Sequence, residues 1–248
     1  MCTVSVIRLP GLLRLVSNRD EQRSRPAALP PTLTRAGDLQ VLAPTDPASQ
    51  GTWIACNQLG LAIALLNVNP PAGTGGVGPR SRGGIIPMLI RGRCLEEVAE
   101  LAASIDHREF APFRLVAVRP DEDDVLEIAP AASRVRRLPL TVPRMFTSSG
   151  LGDHRVEGPR RQLFERTVTQ AEERELPKRQ DRFHAHRWRD RLAVSVHMSR
   201  ADAWTVSRTA IEIGAAQIVM SYAAEPDWAT VHAQLARAAS DQRADNST

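Results

Sequence analysis

The stretch from Thr3 to Ser17 constrains the fold first, because two apolar runs of strand-like composition, Thr3 to Leu9 and Leu12 to Ser17, flank the turn-forming pair Pro10-Gly11. A two-residue turn there places Leu9 opposite Leu12 and, continuing in step, Cys2 opposite Arg19, with Cβ atoms about 5 Å apart. Pro-Gly favours a type II turn, whereas tight hairpins prefer types I′ and II′, so the register stays open by one residue. In either register Asn18, Arg19, Asp20 and Glu21 arrive beside the start of the chain.

Further along, Thr52 to Asn57 and Leu61 to Val68 read as a second hairpin turning at Gln58 to Gly60. Residues 70–84, PPAGTGGVGPRSRGG, read as a flexible glycine-rich loop that lacks the GK[ST] of a phosphate-binding loop. Ile85 to Ser104 has helical apolar spacing with Glu96, Glu97 and Glu100 on an outer face. Strands are expected at Phe113 to Val118 and Val125 to Ile128, then a helix from about Pro159 to Glu175. Strands follow at Leu192 to Met198, Thr205 to Ile213 and Gln217 to Tyr222, and an amphipathic helix closes the chain from Asp227 to about Ala239. Strands first, helices between, strands again: the pattern is α+β with mostly antiparallel pairing.

With 248 residues and 42% hydrophobic content, the chain has the apolar surface for one large domain, expected over residues 1–240 ahead of a flexible polar tail at 241–248. No apolar run approaches the roughly 20 residues of a membrane span, and the first nine residues lack the basic-then-apolar order of a secretory leader. Three scattered cysteines, Cys2, Cys56 and Cys94, form neither a disulfide framework nor a CxxC site, so a reducing, cytoplasmic location is expected. The 32 basic residues are offset by 28 acidic ones, and the densest basic stretch, KRQDRFHAHRWRDR, contains Asp181 and Asp190. Its Phe183 and Trp188 fit the buried rings of a charged surface helix, and nucleic acid is not expected as a partner. The HxH pair His184 and His186 has neighbouring arginines and no acidic or cysteine partner nearby, so no metal site is expected. His107, His154 and His197 read as structural.

If Met1 is removed, Cys2 carries both a thiol and a free α-amine, whose ordinary pKa of about 8 lets it accept a proton near neutral pH. Nucleophile and general base would then share one residue. A facing Arg19 would favour the thiolate and bind a substrate oxygen, while Asp20 or Glu21 could hold the ammonium. The plain alternative is a frayed cysteine beside a charged strand end.

The stretches MC, SNRDEQRSRPA (17–27), GTWIACNQLGLAIALLNV (51–68) and SRGG (81–84), with a weaker match at HMSRADAWTVSRTAIEIG (197–214), resemble the NRDE family, to which transport and Golgi organisation proteins belong. The likeness is dense over the first 90 residues and sparse beyond. It implies an N-terminal nucleophile hydrolase fold, a four-layer αββα sandwich. More distantly, MCT, the early arginine and acid, and NQLGLAIALLNVNP (57–70) are similar to the bile salt hydrolase and penicillin V acylase group, whose N-terminal cysteine cleaves amides. That likeness implies Cys2 as nucleophile, Asn67 as oxyanion donor, and Arg19 with Asp20 as its positioning groups. Asn18, Glu21 and Trp53 would then contact substrate. Departures exist: Asn18 to Glu21 are contiguous, so the working acid is open, and Asp153 stands where an asparagine is expected, although a carboxylate repels an oxyanion. A late arginine is also implied, with Arg208 the nearest match. Two classes of function follow. One is a thiol amidohydrolase acting on a small acyl amide without a cofactor. The other is a non-catalytic carrier of haem, lipid or acyl-CoA.

Overall fold

The computed structural model describes residues 2–69, 79–129 and 134–238. Most of the glycine-rich loop and the tail 241–248 lie outside these residues. The opening hairpin forms with strands β1 (Cys2–Leu9) and β2 (Leu12–Gln22), Leu9 pairs with Leu12, and Cys2 pairs with Arg19. Gly11 takes a φ of +71°, a left-handed conformation that a side chain resists.

Two antiparallel sheets are stacked face to face. The first has the order β10-β1-β2-β11-β12-β13, with β10 at Arg144–Thr147, β11 at Ala203–Ile213, β12 at Gln217–Ala224 and β13 at Thr230–Ala236. The second runs β3-β4-β5-β6-β7-β8-β9 in chain order: Leu29–Ala36, Leu39–Thr45, Ile54–Asn57, Ala62–Asn67, Phe113–Val118, Asp124–Ala129 and Arg134–Pro139. The period-two alternation of strands divides the apolar residues cleanly between faces. Val4, Val6, Leu13 and Leu15 of the first sheet meet Leu42, Ile54, Ala64 and Leu66 of the second in the central core. Ile63, Leu65 and Leu115 point the other way and are covered by helices α1 (Ile85–Leu89) and α2 (Leu95–Ala103). On the far side of the first sheet, Ile7 and Met145 pack under α3 (Asp153–Phe164) and α4 (Leu176–His184) through Leu163, Phe164 and Phe183. The layers are therefore α, β, β, α, and the chain is an αββα sandwich.

Four expected elements differ, each for a physical reason. The helix expected over 85–104 is two, because Asn57 Nδ2 donates to the carbonyls of Ile90 and Gly92 at 2.9 Å each and holds the chain in a break, after which Cys94 Sγ caps α2. The helix expected over 159–175 starts earlier, at Asp153, where that carboxylate accepts the Ser149 N–H, and widens into a π turn at Glu165–Thr169, where the Gln170 N–H donates to Glu165 O. Residues 192–198 are not a strand: the carbonyls of Val194, Ser195 and Val196 accept from the buried side chains of Arg160 and Asn18 instead of a neighbouring strand. The closing helix is the edge strand β13, whose Val231, Ala233 and Leu235 alternate with period two; Leu235 enters the central core while Val231 stays exposed. Among the described residues no helix is long and apolar enough to cross a membrane.

Candidate active site

The open end of the first hairpin and the neighbouring loops enclose a cleft of about 610 Å³. Cys2, Arg19, Asp20, Glu21, Trp53 and Asn67 all line it. Cys2 is held on both sides: its N–H donates to Ser148 Oγ at 3.2 Å, its carbonyl accepts from Ser148 N–H at 2.9 Å, and Arg19 faces it across the pair. Arg19 is 5% exposed, with Nη2 2.8 Å from Asp46 and 3.3 Å from Glu21 and the guanidinium 4.4 Å above the Trp53 ring. Asp46 also binds Arg25 at 2.7 Å, so one carboxylate joins two arginines. Burial would raise the Asp46 carboxyl, but Arg25, Arg19 and the Ala48 N–H together hold it below its ordinary value.

Glycine makes the loop pair around this cluster possible. Gly51 lies so close to Gly83 that a Cβ on Gly51 would sit 2.4 Å from the Gly83 carbonyl carbon and oxygen. The Asp46 N–H donates to Gly51 O at 2.8 Å, and the Thr52 N–H donates to Gly83 O at 3.0 Å. The Gly83 N–H in turn donates to Ser81 Oγ at 3.3 Å. GTW and SRGG are thus one interlocked unit that presents Trp53 from one side and Arg82 from the other. Arg82 borders the cleft, with Nη1 donating to Pro112 O at 2.9 Å.

Behind Cys2, on the helix side of the first sheet, lies a buried polar layer. Arg160 is 1% exposed and donates to Thr3 Oγ1, Thr147 Oγ1, Val194 O and Ser195 O, which ties β1, β10 and the 194–195 segment together directly beneath Cys2. Asp20 accepts from Thr205 Oγ1 at 2.6 Å, and that hydroxyl accepts from Met198 N–H at 2.9 Å. Burial raises the Asp20 carboxyl, against the opposing pull of Arg160 and the Thr205 hydrogen bond. Arg160 is itself lowered by burial and supported by Asp20 and Asp153.

The site residues expected from the sequence divide between these two faces. Asn18 and Arg208, which pair with each other across β2 and β11, belong to the helix side. Asn18 Nδ2 donates to His184 O and Val196 O, so this side chain braces α4 and does not reach the cleft. Arg208 does not line the cleft either; its charge acts on buried His184. Asp153 begins α3 and accepts the Ser149 N–H at 2.8 Å, a structural contact outside the cleft lining, which removes the conflict between a carboxylate and an oxyanion. His184 of the HxH pair is fully buried, bonded to Ser5 Oγ at 2.7 Å and Asn18 Oδ1 at 3.1 Å, and His186 stacks edge-on against Trp188.

The balance at Cys2 also departs from expectation. Burial pushes the thiol above its ordinary value, Asp20 and Glu21 add to the rise, and the lowering by the N-terminal charge and by Arg19 does not overcome them. A neutral thiol that must surrender its proton to a base during attack is the species this environment favours. Sequence reasoning missed Asp46, Arg82, Arg160 and Thr205. Arg82 carried a signal, since SRGG was already part of the family pattern; Arg160 was hidden in GPRR, which reads as a surface basic cluster. Asp46 and Thr205 become neighbours of Arg19 and Asp20 only through tertiary pairing.

Residues 10–212 match the model of the family described as Transport and Golgi organisation 2. The chain belongs to this family. No curated protein matches it in sequence. Among solved structures, it is similar to the Caenorhabditis elegans ortholog of N-acylethanolamine-hydrolyzing acid amidase, with a TM-score of 0.56 and 12% identity over 85% of this chain and 92% of that one. A mutant of the conjugated bile acid hydrolase from Clostridium perfringens gives a TM-score of 0.52 and 11% identity over 95% and 92%. At such identities the likeness is one of fold, and it places this Transport and Golgi organisation 2 family member among the N-terminal nucleophile hydrolase sandwiches.

Proposed function

We propose that this Transport and Golgi organisation 2 family member is a thiol amidohydrolase in which Cys2, exposed by removal of Met1, is the N-terminal nucleophile. The observation that carries the reading is the single cleft that holds the Cys2 side chain, its register partner Arg19, the buried carboxylate of Asp20 and the amide of Asn67. In the forward step the α-amine takes the thiol proton while Sγ bonds to the amide carbonyl carbon, and the carbonyl electron pair moves to oxygen. Asn67 Nδ2 donates to that oxyanion. Collapse breaks the C–N bond, the departing nitrogen takes the proton from the α-ammonium, and a thioester remains on Cys2. Water then attacks with the α-amine again as base, releasing a carboxylic acid and restoring the thiol. Asp20 holds the ammonium between steps, Arg19 and Glu21 frame the substrate side, and Trp53 forms a wall. All three cysteines are free thiols, which suits the cytoplasmic location we propose.

Intact-mass analysis tests the first requirement, since retained Met1 removes the amine base. A short-chain acyl thioester probe tests the second: an enzyme gains the acyl mass on Cys2 and loses it with time, whereas a carrier of haem or lipid binds reversibly and gains none.

A further inference from the structure

Among the described residues, the arginines of the cleft other than Arg82 make ion pairs. Arg19 and Arg25 share Asp46 and Glu21, Arg80 binds Glu109 at 2.8 Å, and Arg200 binds Asp202 at 2.7 Å. Arg82 makes no ion pair among the described residues, although its guanidinium interacts electrostatically with both Cys2 and Glu21. The adjoining segment 70–78 contains no acidic residue that could serve. Arg82 is also rigidly presented: it opens the turn Arg82–Gly84, which Ser81 caps and which is locked against Gly51 and Thr52. A half-buried arginine that lines the cleft beside the reacting thiol with no ion pair of its own, on a preorganised loop, is what recognition of an anion requires.

We infer that Arg82 is the anion-recognising residue of this cleft and that the substrate is an acyl amide bearing a carboxylate close to its scissile carbonyl. The inference rests on Cys2 as the reacting residue. Burial lowers the Arg82 guanidinium from its ordinary value, the direction expected for a cation that awaits a counter-charge. With the carboxylate bound, the cleft gains the negative charge that its unpaired arginine lacks, and the carbonyl is delivered to Cys2 in one orientation.

Iodoacetate and iodoacetamide supply the test, because they alkylate a thiol by the same displacement, differ chiefly in one carboxylate, and require no turnover. Rates at Cys2 are read by peptide mapping in the wild type, Arg82→Gln and Arg82→Lys. Dividing the iodoacetate rate by the iodoacetamide rate cancels any change in the Cys2 pKa, since both reagents consume the same thiolate. Relative to free cysteine, the wild-type ratio should favour iodoacetate by about 10-fold or more, the scale of one hydrogen bond to a charged group. Arg82→Gln should bring the ratio back to that of free cysteine, and Arg82→Lys should keep part of it. A wild-type ratio equal to that of free cysteine, or one unchanged in Arg82→Gln, overturns the inference, as does a Cys2 that neither reagent reaches. Acylation of Cys2 by a neutral thioester probe with no anion preference would leave the hydrolase reading standing and sink this one. An intact anion preference without acylation would keep Arg82 as the anion-recognising residue and sink the hydrolase reading, and with it the acyl-amide substrate.

Discussion

Replacing Arg19 separates its structural role from its electrostatic one. Arg19 is 5% exposed, and its guanidinium contacts Asp46 at 2.8 Å and Glu21 at 3.3 Å and lies 4.4 Å over Trp53. Breaking a buried pair by deleting one partner costs about 3–5 kcal/mol, and Asp46 keeps Arg25 and the Ala48 N–H, so Arg19→Ala should cost about 3 kcal/mol. Arg19→Lys retains a charge near Asp46 but gives up the planar stack on Trp53, a loss of about 1–2 kcal/mol. An exposed pair would contribute only about 0–1 kcal/mol, so burial is what makes the predicted loss large. Urea denaturation measures both values. In the same samples the pH midpoint of Cys2 alkylation should rise in Arg19→Ala, because one of the cations that lower the thiol is gone while Asp20 and Glu21, which raise it, remain. A rise of about one pH unit is the expected scale for a neighbouring arginine. A loss below about 1 kcal/mol in Arg19→Ala would refute the buried-pair argument. An unchanged alkylation midpoint would refute the coupling to Cys2.

Asn67→Ala should lower any hydrolytic kcat by about 100-fold or more with little change in melting temperature, and unchanged turnover would return Asn67 to a strand-end role. Gly51→Ala drives a Cβ to 2.4 Å from the Gly83 backbone, so a cost of about 1–3 kcal/mol and a parallel loss of Cys2 acylation are expected; native-like stability in calorimetry would show that the loops can separate. His184 gives stability a pH dependence: burial, with Arg208, Arg14 and Arg160 nearby, holds it well below its ordinary 6.5. Above pH 6.5 it is neutral in both states and costs nothing; below it only the unfolded chain takes the proton, so stability falls by up to about 1.4 kcal/mol per pH unit, about 2 kcal/mol by pH 5. His184→Gln should flatten that slope in urea melts at pH 7.5 and pH 5, and an equal slope in both proteins would assign it to other groups.

The first hairpin was legible to within one residue of register because that register depends only on the turn and the pairing, both local, and the structure takes the two-residue-turn alternative. Phe113–Val118 was legible for a related reason, as a run of apolar β-formers with breakers on either side. The broken helix at 90–94 was not, because Asn57, thirty-three residues before Ile90, supplies the amide that captures those carbonyls. Strands β3 and β4 left little trace in sequence, since β3 is an edge strand carrying two prolines with Leu29 and Leu33 exposed. For β13 the signal was present and assigned to the wrong period: seven residues of alternating character satisfy a helical count almost as well as a strand.

The site shows why a contiguous motif need not act as one unit. Strand alternation sends Arg19 and Glu21 to the cleft face with Cys2, and Asn18 and Asp20 to the helix face. On that rear face the hydrogen-bond donors run in one direction: Arg14 Nη1 to Gln180 Oε1, Gln180 Nε2 to Ser5 Oγ, Ser5 Oγ to His184 Nε2, His184 Nδ1 to Asn18 Oδ1, and Asn18 Nδ2 to backbone carbonyls. This order assigns the neutral Nδ1–H tautomer to His184 and leaves Asn18 fully occupied as scaffold. Asp20 shares the face yet still borders the cleft, and a register shift in β11 between Thr205 and Ser207 sets the Thr205 hydroxyl against it. A one-residue irregularity in a strand that begins 183 positions later thus determines whether the acid of the motif is oriented. Because that orientation passes through Thr205, Thr205→Val should remove one hydrogen bond from the buried Asp20 carboxylate and one from the Met198 N–H, at a cost of about 1–3 kcal/mol. Cys2 acylation should then slow although every residue of the Asn18 to Glu21 motif is unchanged. An unaltered acylation rate would show that the Thr205 hydroxyl does not orient Asp20 for the reaction.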